Sequence, residues 1–266
     1  MKNVLPLKRF GQNYLTDPNI LNKIIREINP LLDDLIIEIG PGTGALTSGL
    51  SFSGAEIISI EIDKRVKEHL TEKFPNVKFL NEDFLKTDLQ QFASGTKKLL
   101  RITGNIPYNL TSPILFKLIE NSILVNDAVL MVQYEVAKRI TAACGSKDYG
   151  ILSVLLNYFA ETRLCFKVSP NVFYPKPKVY SAVIHIFMKQ FQVTGEMKKT
   201  FIQVVKAAFG KRRKTLKNSL GESIFDDVNF YGSGIDLSLR AEQLELKDFE
   251  RLALFLLNHP LPNSDR

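Results

Sequence analysis

The run Leu35-Ile36-Ile37-Glu38-Ile39, followed by Gly40-Pro41-Gly42-Thr43-Gly44, restricts this chain more than any other stretch. A short apolar run without polar alternation is expected to be a strand buried on both faces of a parallel sheet. Glycines at 40, 42 and 44 let the backbone turn tightly and lie against a ligand where a Cβ would stand in the way. Residues 45–50 can then continue as a helix. The spacing is G-x-G-x-G, so the dinucleotide fingerprint G-x-G-x-x-G is not met. Taken alone, the turn reads as well as structural punctuation.

Strand and helix alternate along the chain on either side of this turn. Asp17 as N-cap and Pro18 at the first helical position start a helix to about residue 28. Strands are expected at 55–60, 77–80, 98–103 and 128–132, with helical stretches between them. Alternation of this kind predicts an α/β fold: a Rossmann-like parallel sheet with right-handed crossovers. Two further strand candidates, 162–168 and 179–188, have no full helix between them and are expected to add antiparallel at one edge. Residues 190–195 read as a linker, and beyond them the pattern is helical only. The expectation is a domain over 1–189 and a smaller all-helical domain over 190–266.

Charge separates the two parts. Residues 189–220 carry nine Lys or Arg against one acid, Glu196, while the rest of the chain, with 26 bases and 27 acids, is nearly neutral. Such a block suits a polyanion, most often nucleic acid, or else a solvated helix face. The residues able to meet phosphate include Lys211, Arg212, Arg213 and Lys214. Cys144 and Cys165 offer no disulfide framework and are expected to be small core residues in a reducing cytoplasm. His69, His185 and His259 lie far apart in sequence, so no metal is expected. There is no apolar run of membrane-spanning length, and the first residues lack a signal-peptide core.

In doubly wound sheets, ligands bind off the carboxyl ends of the strands. Four features fall there: the 40–44 turn, Glu61 after the second strand, Asp83 after the third, and Asn105-Ile106-Pro107-Tyr108 after the fourth. Glu61 is placed to take both hydroxyls of a ribose, and Asp83 to accept from an adenine amine. Each acid alone reads equally well as a surface residue; together they point to a nucleoside cofactor. NAD would call for the missing fingerprint and for a hydride-transfer acid or base, which is not apparent.

The tetrapeptide Asn105-Ile106-Pro107-Tyr108 resembles the catalytic motif of S-adenosylmethionine-dependent amino-methyltransferases. The N6 amine of adenine is a poor nucleophile because its lone pair is delocalised into the ring. An Asn105 side-chain oxygen and the Ile106 carbonyl could both accept N6–H bonds and return density to the nitrogen. Pro107 would fix the backbone. Tyr108 would stack on the base and hold it in line.

The chain as a whole resembles the ribosomal RNA adenine dimethyltransferase family, most closely its bacterial small-subunit branch. The resemblance is carried by Gly11-Gln12-Asn13-Tyr14-Leu15, Glu38 to Gly44, Glu61, Asp83, Asn105-Ile106-Pro107-Tyr108, Gln133 to Arg139, Asp148 to Val154, Phe173-Tyr174-Pro175-Lys176-Pro177-Lys178-Val179, Arg212 to Leu220 and Arg240 to Leu244, in order along the chain. It implies a class I S-adenosylmethionine-dependent methyltransferase sheet. Cofactor contacts would lie at Asn13, Leu15, Gly40, Gly42, Glu61, Asp83 and Asn105. A flipped adenosine would be gripped by Asn105 and Tyr108, with Phe173 on its other face. The implied product is N6,N6-dimethyladenosine at two adjacent adenosines in a hairpin loop near the 3′ end of small-subunit rRNA. The implied setting is a cytoplasmic pre-30S particle, with the enzyme a monomer.

Two positions depart from the family pattern. Tyr180 stands where an acid is usual before Ser181, and Tyr134 where lysine is common; both are expected to bear on RNA contacts and not on methyl transfer. Two rivals remain open. The related large-subunit enzymes of macrolide resistance share the catalytic half and differ in the C-terminal part. A non-catalytic assembly factor on the same fold would have eroded the motifs that are intact here.

Overall fold

A computed structural model of the chain describes residues 11–94, 98–190, 193–211 and 213–259. Two compact units emerge, one from residues 1–137 and 160–190, the other from 138–159 and 191–266. The last passage between them falls at 190/191, beside the boundary read from the sequence. The helical segment 138–159, which the sequence placed in the first domain, groups with the second unit. A helix contributes its stripe to whichever core surrounds it, whatever its place in the chain.

In the first unit, β1 (Tyr14–Leu15) precedes α1 (Pro18–Ile28), whose Asp17 cap accepts from the Asn19 and Ile20 amides at 2.8 and 3.0 Å. There follow β2 (Leu35–Ile39), α2 (Ala45–Leu50), β3 (Glu56–Ile60), α3 (Lys64–Lys73), β4 (Lys78–Leu80) and the short α4 (Gln90–Ala93). Then come β5 (Leu100–Asn105), α5 (Thr111–Glu120), β6 (Val125–Gln133) and α6 (Tyr134–Ile140), whose last residues, from Lys138, belong to the second unit. After α7 (Ile151–Phe159), three strands, β7 (Ala160–Val168), β8 (Phe173–Tyr174) and β9 (Ser181–Met188), complete the unit.

The main sheet has the order β4-β3-β2-β5-β6-β9-β7. Strands β2 to β6 pair in parallel; β9 runs antiparallel to both β6 and β7, the edge addition expected from the missing helix. The chain steps from β2 out to β4 and returns to β5 on the other side of β2. That reversal opens a crevice at the carboxyl ends of β2 and β5. A second, two-stranded ladder pairs β1 with β8, Tyr14 opposite Tyr174 and Leu15 opposite Phe173.

At the far end of the strands an ion network ties the elements together. Arg101 of β5 clasps Asp127 of β6 with two bonds of 2.8 Å and reaches Asp34 at 2.6 Å and the Ile28 carbonyl at 2.6 Å. His185 of β9 bridges Asp127 at 2.7 Å and Glu27 at 2.9 Å. These partners hold the Asp127 carboxyl below its ordinary range despite burial, which pushes the other way.

The second unit holds α7, α8 (Gly195–Phe209), α9 (Leu216–Gly221) and α10 (Leu246–Asn258), with no strand among its described residues. Its core stacks Tyr158 on Phe201 at 4.0 Å between ring centroids, with Phe249 and Leu252 also fully buried. The cysteines depart from expectation. Cys144 is exposed in the turn after α6, its thiol 3.2 Å from the Leu244 carbonyl, and Cys165 is half-buried on edge strand β7. A turn and a sheet edge both leave a small side chain partly in solvent.

Candidate functional site

A cleft of about 300 Å3 occupies the crevice at the carboxyl ends of β2 to β5. Its floor is the 40–44 turn. Gly40 and Gly42 take positive φ values of 63° and 56°, which other residues adopt only under strain. A Cβ on Gly42 would also stand 3.0 Å from the Tyr14 ring, so Tyr14 lies directly on this glycine. The β2–β5 approach is closer still at Gly104, where a Cβ would come within 2.5 Å of the Ile39 carbonyl oxygen. Only glycine therefore fits at 104, beside β2 and directly before Asn105, the last residue of β5.

Two carboxyls shape the electrostatics. Glu61, 4 % exposed, accepts the Asp63 amide at 2.8 Å, and the Gly42 amide also bonds to it. Burial raises its pKa, and the backbone donors offset part of that rise. A carboxylate so placed gains from any pair of hydroxyls that restores the donors it lost with water. Asp83 is half-buried; one of its oxygens accepts the Leu85 amide at 3.0 Å. Ile62, Phe84 and Leu85 line the same cleft and give it apolar walls beside the two acids.

Glu38 falls within the resembling stretch without an expected role in the site, yet it also lines the cleft. It is 1 % exposed, and one oxygen takes the Thr47 and Ser59 hydroxyls at 2.8 and 2.7 Å. Burial outweighs those donors and pushes its pKa up to about 7. The sequence signal was present: an acid inside an otherwise apolar strand must find partners within the fold.

The tetrapeptide sits on the opposite wall. The Asn105 amide nitrogen donates to the Asn13 carbonyl at 2.7 Å, which orients the side chain and leaves its oxygen as the acceptor. The Ile106 amide donates to the Met131 carbonyl at 3.2 Å, and its buried side chain anchors the strand end. Pro107 begins the 3-10 turn Tyr108–Leu110. The Tyr108 hydroxyl shares a 2.8 Å hydrogen bond with Ser181 at the start of β9, and burial raises its pKa.

Asn13, Leu15, Gly40, Gly42, Glu61, Asp83, Asn105, Ile106, Pro107 and Tyr108 all line this one cleft. Phe173 does not. It is 5 % exposed, paired with Leu15 across the β1–β8 ladder and packed in the hydrophobic core. Lys211, Arg213 and Lys214 are exposed on the loop between α8 and α9, Lys211 paired with Glu222; Arg212 lies outside the described residues.

The arrangement suits a nucleoside-bearing ligand. Gly40 has nothing within 4 Å of the point where a Cβ would stand, so the turn presents bare backbone to open space. Acid, apolar wall and amide acceptor follow one another around the cleft.

Comparison with known proteins bears on the chemistry. The family described as "Ribosomal RNA adenine dimethylase" matches residues 6–257. A protein of Chlorobium phaeobacteroides named "Ribosomal RNA small subunit methyltransferase A" is 43 % identical over 96 % of this chain and 95 % of its own. The protein of that name from Methylococcus capsulatus is 39 % identical over 94 % and 97 % of the two chains. Among solved structures, a dimethyladenosine transferase from Plasmodium falciparum superposes with a TM-score of 0.75 at 28 % identity, covering 92 % of this chain and 97 % of that one. A 23S rRNA methyltransferase, ErmE, gives 0.66 at 25 % identity, over 91 % and 98 %.

Proposed function

Because this chain belongs to the ribosomal RNA adenine dimethylase family, and is an S-adenosylmethionine-dependent rRNA adenine dimethyltransferase on a class I methyltransferase sheet, we propose the small-subunit target for it. The substrate is a pair of adjacent adenosines in the hairpin loop near the 3′ end of small-subunit rRNA, within a pre-30S particle. The product is N6,N6-dimethyladenosine, and the step belongs to small-subunit biogenesis in the cytoplasm, carried out by a monomer without a metal. Full-length similarity to relatives named for the small subunit supports this target.

The observation that carries the mechanism is the Asn105–Asn13 bond. S-adenosylmethionine, when bound, supplies a methyl group on a positively charged sulfur. Glu61 would hold the ribose hydroxyls of that cofactor, Asp83 its adenine amine, and the backbone at Gly40 and Gly42 would let it lie close; Asn13 and Leu15 cover it. Asn105, oriented by the bond from its amide nitrogen to Asn13, offers its oxygen to the N6–H of the target adenine, and the Ile106 carbonyl accepts the other N6–H. Both bonds draw lone-pair density back onto N6. Tyr108, fixed through Ser181, stacks on the base and sets its angle of approach. No general base is required, since the methylated, ammonium-like nitrogen loses its proton readily.

The target must leave its stack, at a cost of a few kcal/mol as an order of magnitude. Residues 1–189 would carry this chemistry and 190–266 the affinity for RNA, with Lys211, Arg212, Arg213 and Lys214 against phosphate. The test is methyl transfer from labelled S-adenosylmethionine to unmethylated small and large ribosomal particles, offered separately. Dimethyladenosine in the small particle alone is the expected result. Label in the large particle would overturn the assignment of the target.

A further inference from the structure

Beyond the acidic residue Glu161, the chain carries no acid until Glu196, while Arg163, Lys167, Lys176, Lys178 and Lys189 supply five bases. Arg163 is engaged by Glu27. Lys167, Lys176 and Lys178 are exposed and have no ion-pair partner among the described residues. This second basic stretch belongs to the unit that holds the cleft.

Aromatic rings interleave with it. The Lys167 ammonium lies 3.9 Å from the centre of the Tyr180 ring and 4.6 Å from that of Tyr134. The Tyr134 amide donates to the Tyr180 carbonyl at 3.0 Å, which locks the two segments together. These are the two positions that depart from the family pattern, and they converge on one cation. Tyr180 nonetheless keeps 48 % of its surface exposed. Its neighbour Ser181 holds the Tyr108 hydroxyl at 2.8 Å, so the exposed ring stands one residue from the acceptor wall of the cleft.

We propose that Tyr180, pre-oriented by Lys167 and Tyr134, is a stacking platform for the unpaired base flanking the target adenosine, with Lys176 and Lys178 flanking it for phosphate. A restrained tyrosine in a stretch of exposed lysines combines the ring and the positive charge that hold single-stranded nucleic acid irrespective of sequence. Lys167 occupies one side of the ring by a cation–π contact, and the solvent-facing part is open to a base. The restraint matters because a ring already fixed loses little rotamer freedom on binding. This inference rests on the rRNA-adenine reading above and adds to it where the neighbouring nucleotide goes.

The test compares wild type with Tyr180→Ala, Tyr180→Phe and Tyr180→Trp. Methyl transfer to the small particle gives KM for RNA, and a loop hairpin carrying 2-aminopurine beside the target reports stacking by quenching. Tyr180→Ala is expected to raise KM for RNA roughly 5- to 150-fold, as for loss of one stacked base, and to abolish the quench. Phe and Trp restore both, and the affinity for S-adenosylmethionine is the same in all four proteins. An unchanged KM and quench in Tyr180→Ala would overturn the proposal, as would equal loss in Tyr180→Ala and Tyr180→Trp. Should wild type methylate the large particle instead, the small-subunit target fails, and the same comparison on that particle still decides the role of Tyr180.

Discussion

Glu38→Gln isolates a single buried carboxyl whose titration is coupled to folding. The Glu38 pKa is pushed from the ordinary 4.5 to about 7, because burial outweighs the Thr47 and Ser59 hydroxyls and Glu61 adds like charge. Between those two values the folded protein keeps a proton that the unfolded chain releases. Stability from this group is therefore complete below pH 4.5 and lost as the pH rises through 7. The shift of about 2.5 pH units, at 1.36 kcal/mol each, amounts to about 3 kcal/mol by pH 8. Glutamine has the same shape, stays neutral throughout, and its oxygen can still accept both hydroxyls. Urea unfolding of the two proteins between pH 4.5 and 8 measures the difference, in which titrating groups that do not interact with Glu38 cancel. The stability gap should move by about 3 kcal/mol in favour of Glu38→Gln as the pH rises. Parallel curves would refute the reasoning, since they would mean that Glu38 ionises in the fold as it does in water.

Two further perturbations separate stability from RNA affinity. Arg101→Met leaves the buried Asp127 without its two-bond partner and should cost about 3–5 kcal/mol in urea unfolding. Because Asp127 is held below its ordinary range, its stabilising share is present above pH 3.8 and lost as the pH falls further, so the variant should also unfold at higher pH on acid titration. Changing Lys211, Arg213 and Lys214 together to glutamine should weaken RNA binding and reduce the slope of log affinity against log salt by about one unit for each phosphate no longer neutralised, read from filter binding at several salt concentrations.

The parallel sheet was legible because its strands are apolar and alternate with helical stretches, the first of which opens on the Asp17 cap and Pro18. The polar residues near the strand ends were legible because the switch point fixes where a ligand must lie, and Glu61, Asp83 and Asn105 fall at or just beyond the ends of the strands around it. The β1–β8 ladder was not. Each strand has two residues, too few for a period, and the partners lie more than 150 residues apart, as in the Thr16–Val172 hydrogen bond. That ladder seats Phe173 in the core, a placement that motif resemblance alone did not reveal. Nor could sequence show that Asn13 holds Asn105 or that Ser181 holds Tyr108, since both depend on side chains that meet only after folding. Tyr134 and Tyr180, which looked like isolated departures, acquire a common partner in Lys167 only in three dimensions.

Single-turnover methyl transfer by Asn105→Ala, with S-adenosylmethionine affinity measured beside it, tests the central assignment most directly. The account predicts cofactor binding within roughly tenfold of wild type, since Glu61, Asp83 and the glycine turn remain, and loss of most of the transfer rate, since N6 loses a preorganised acceptor. A variant that transfers methyl groups at the wild-type rate would contradict it.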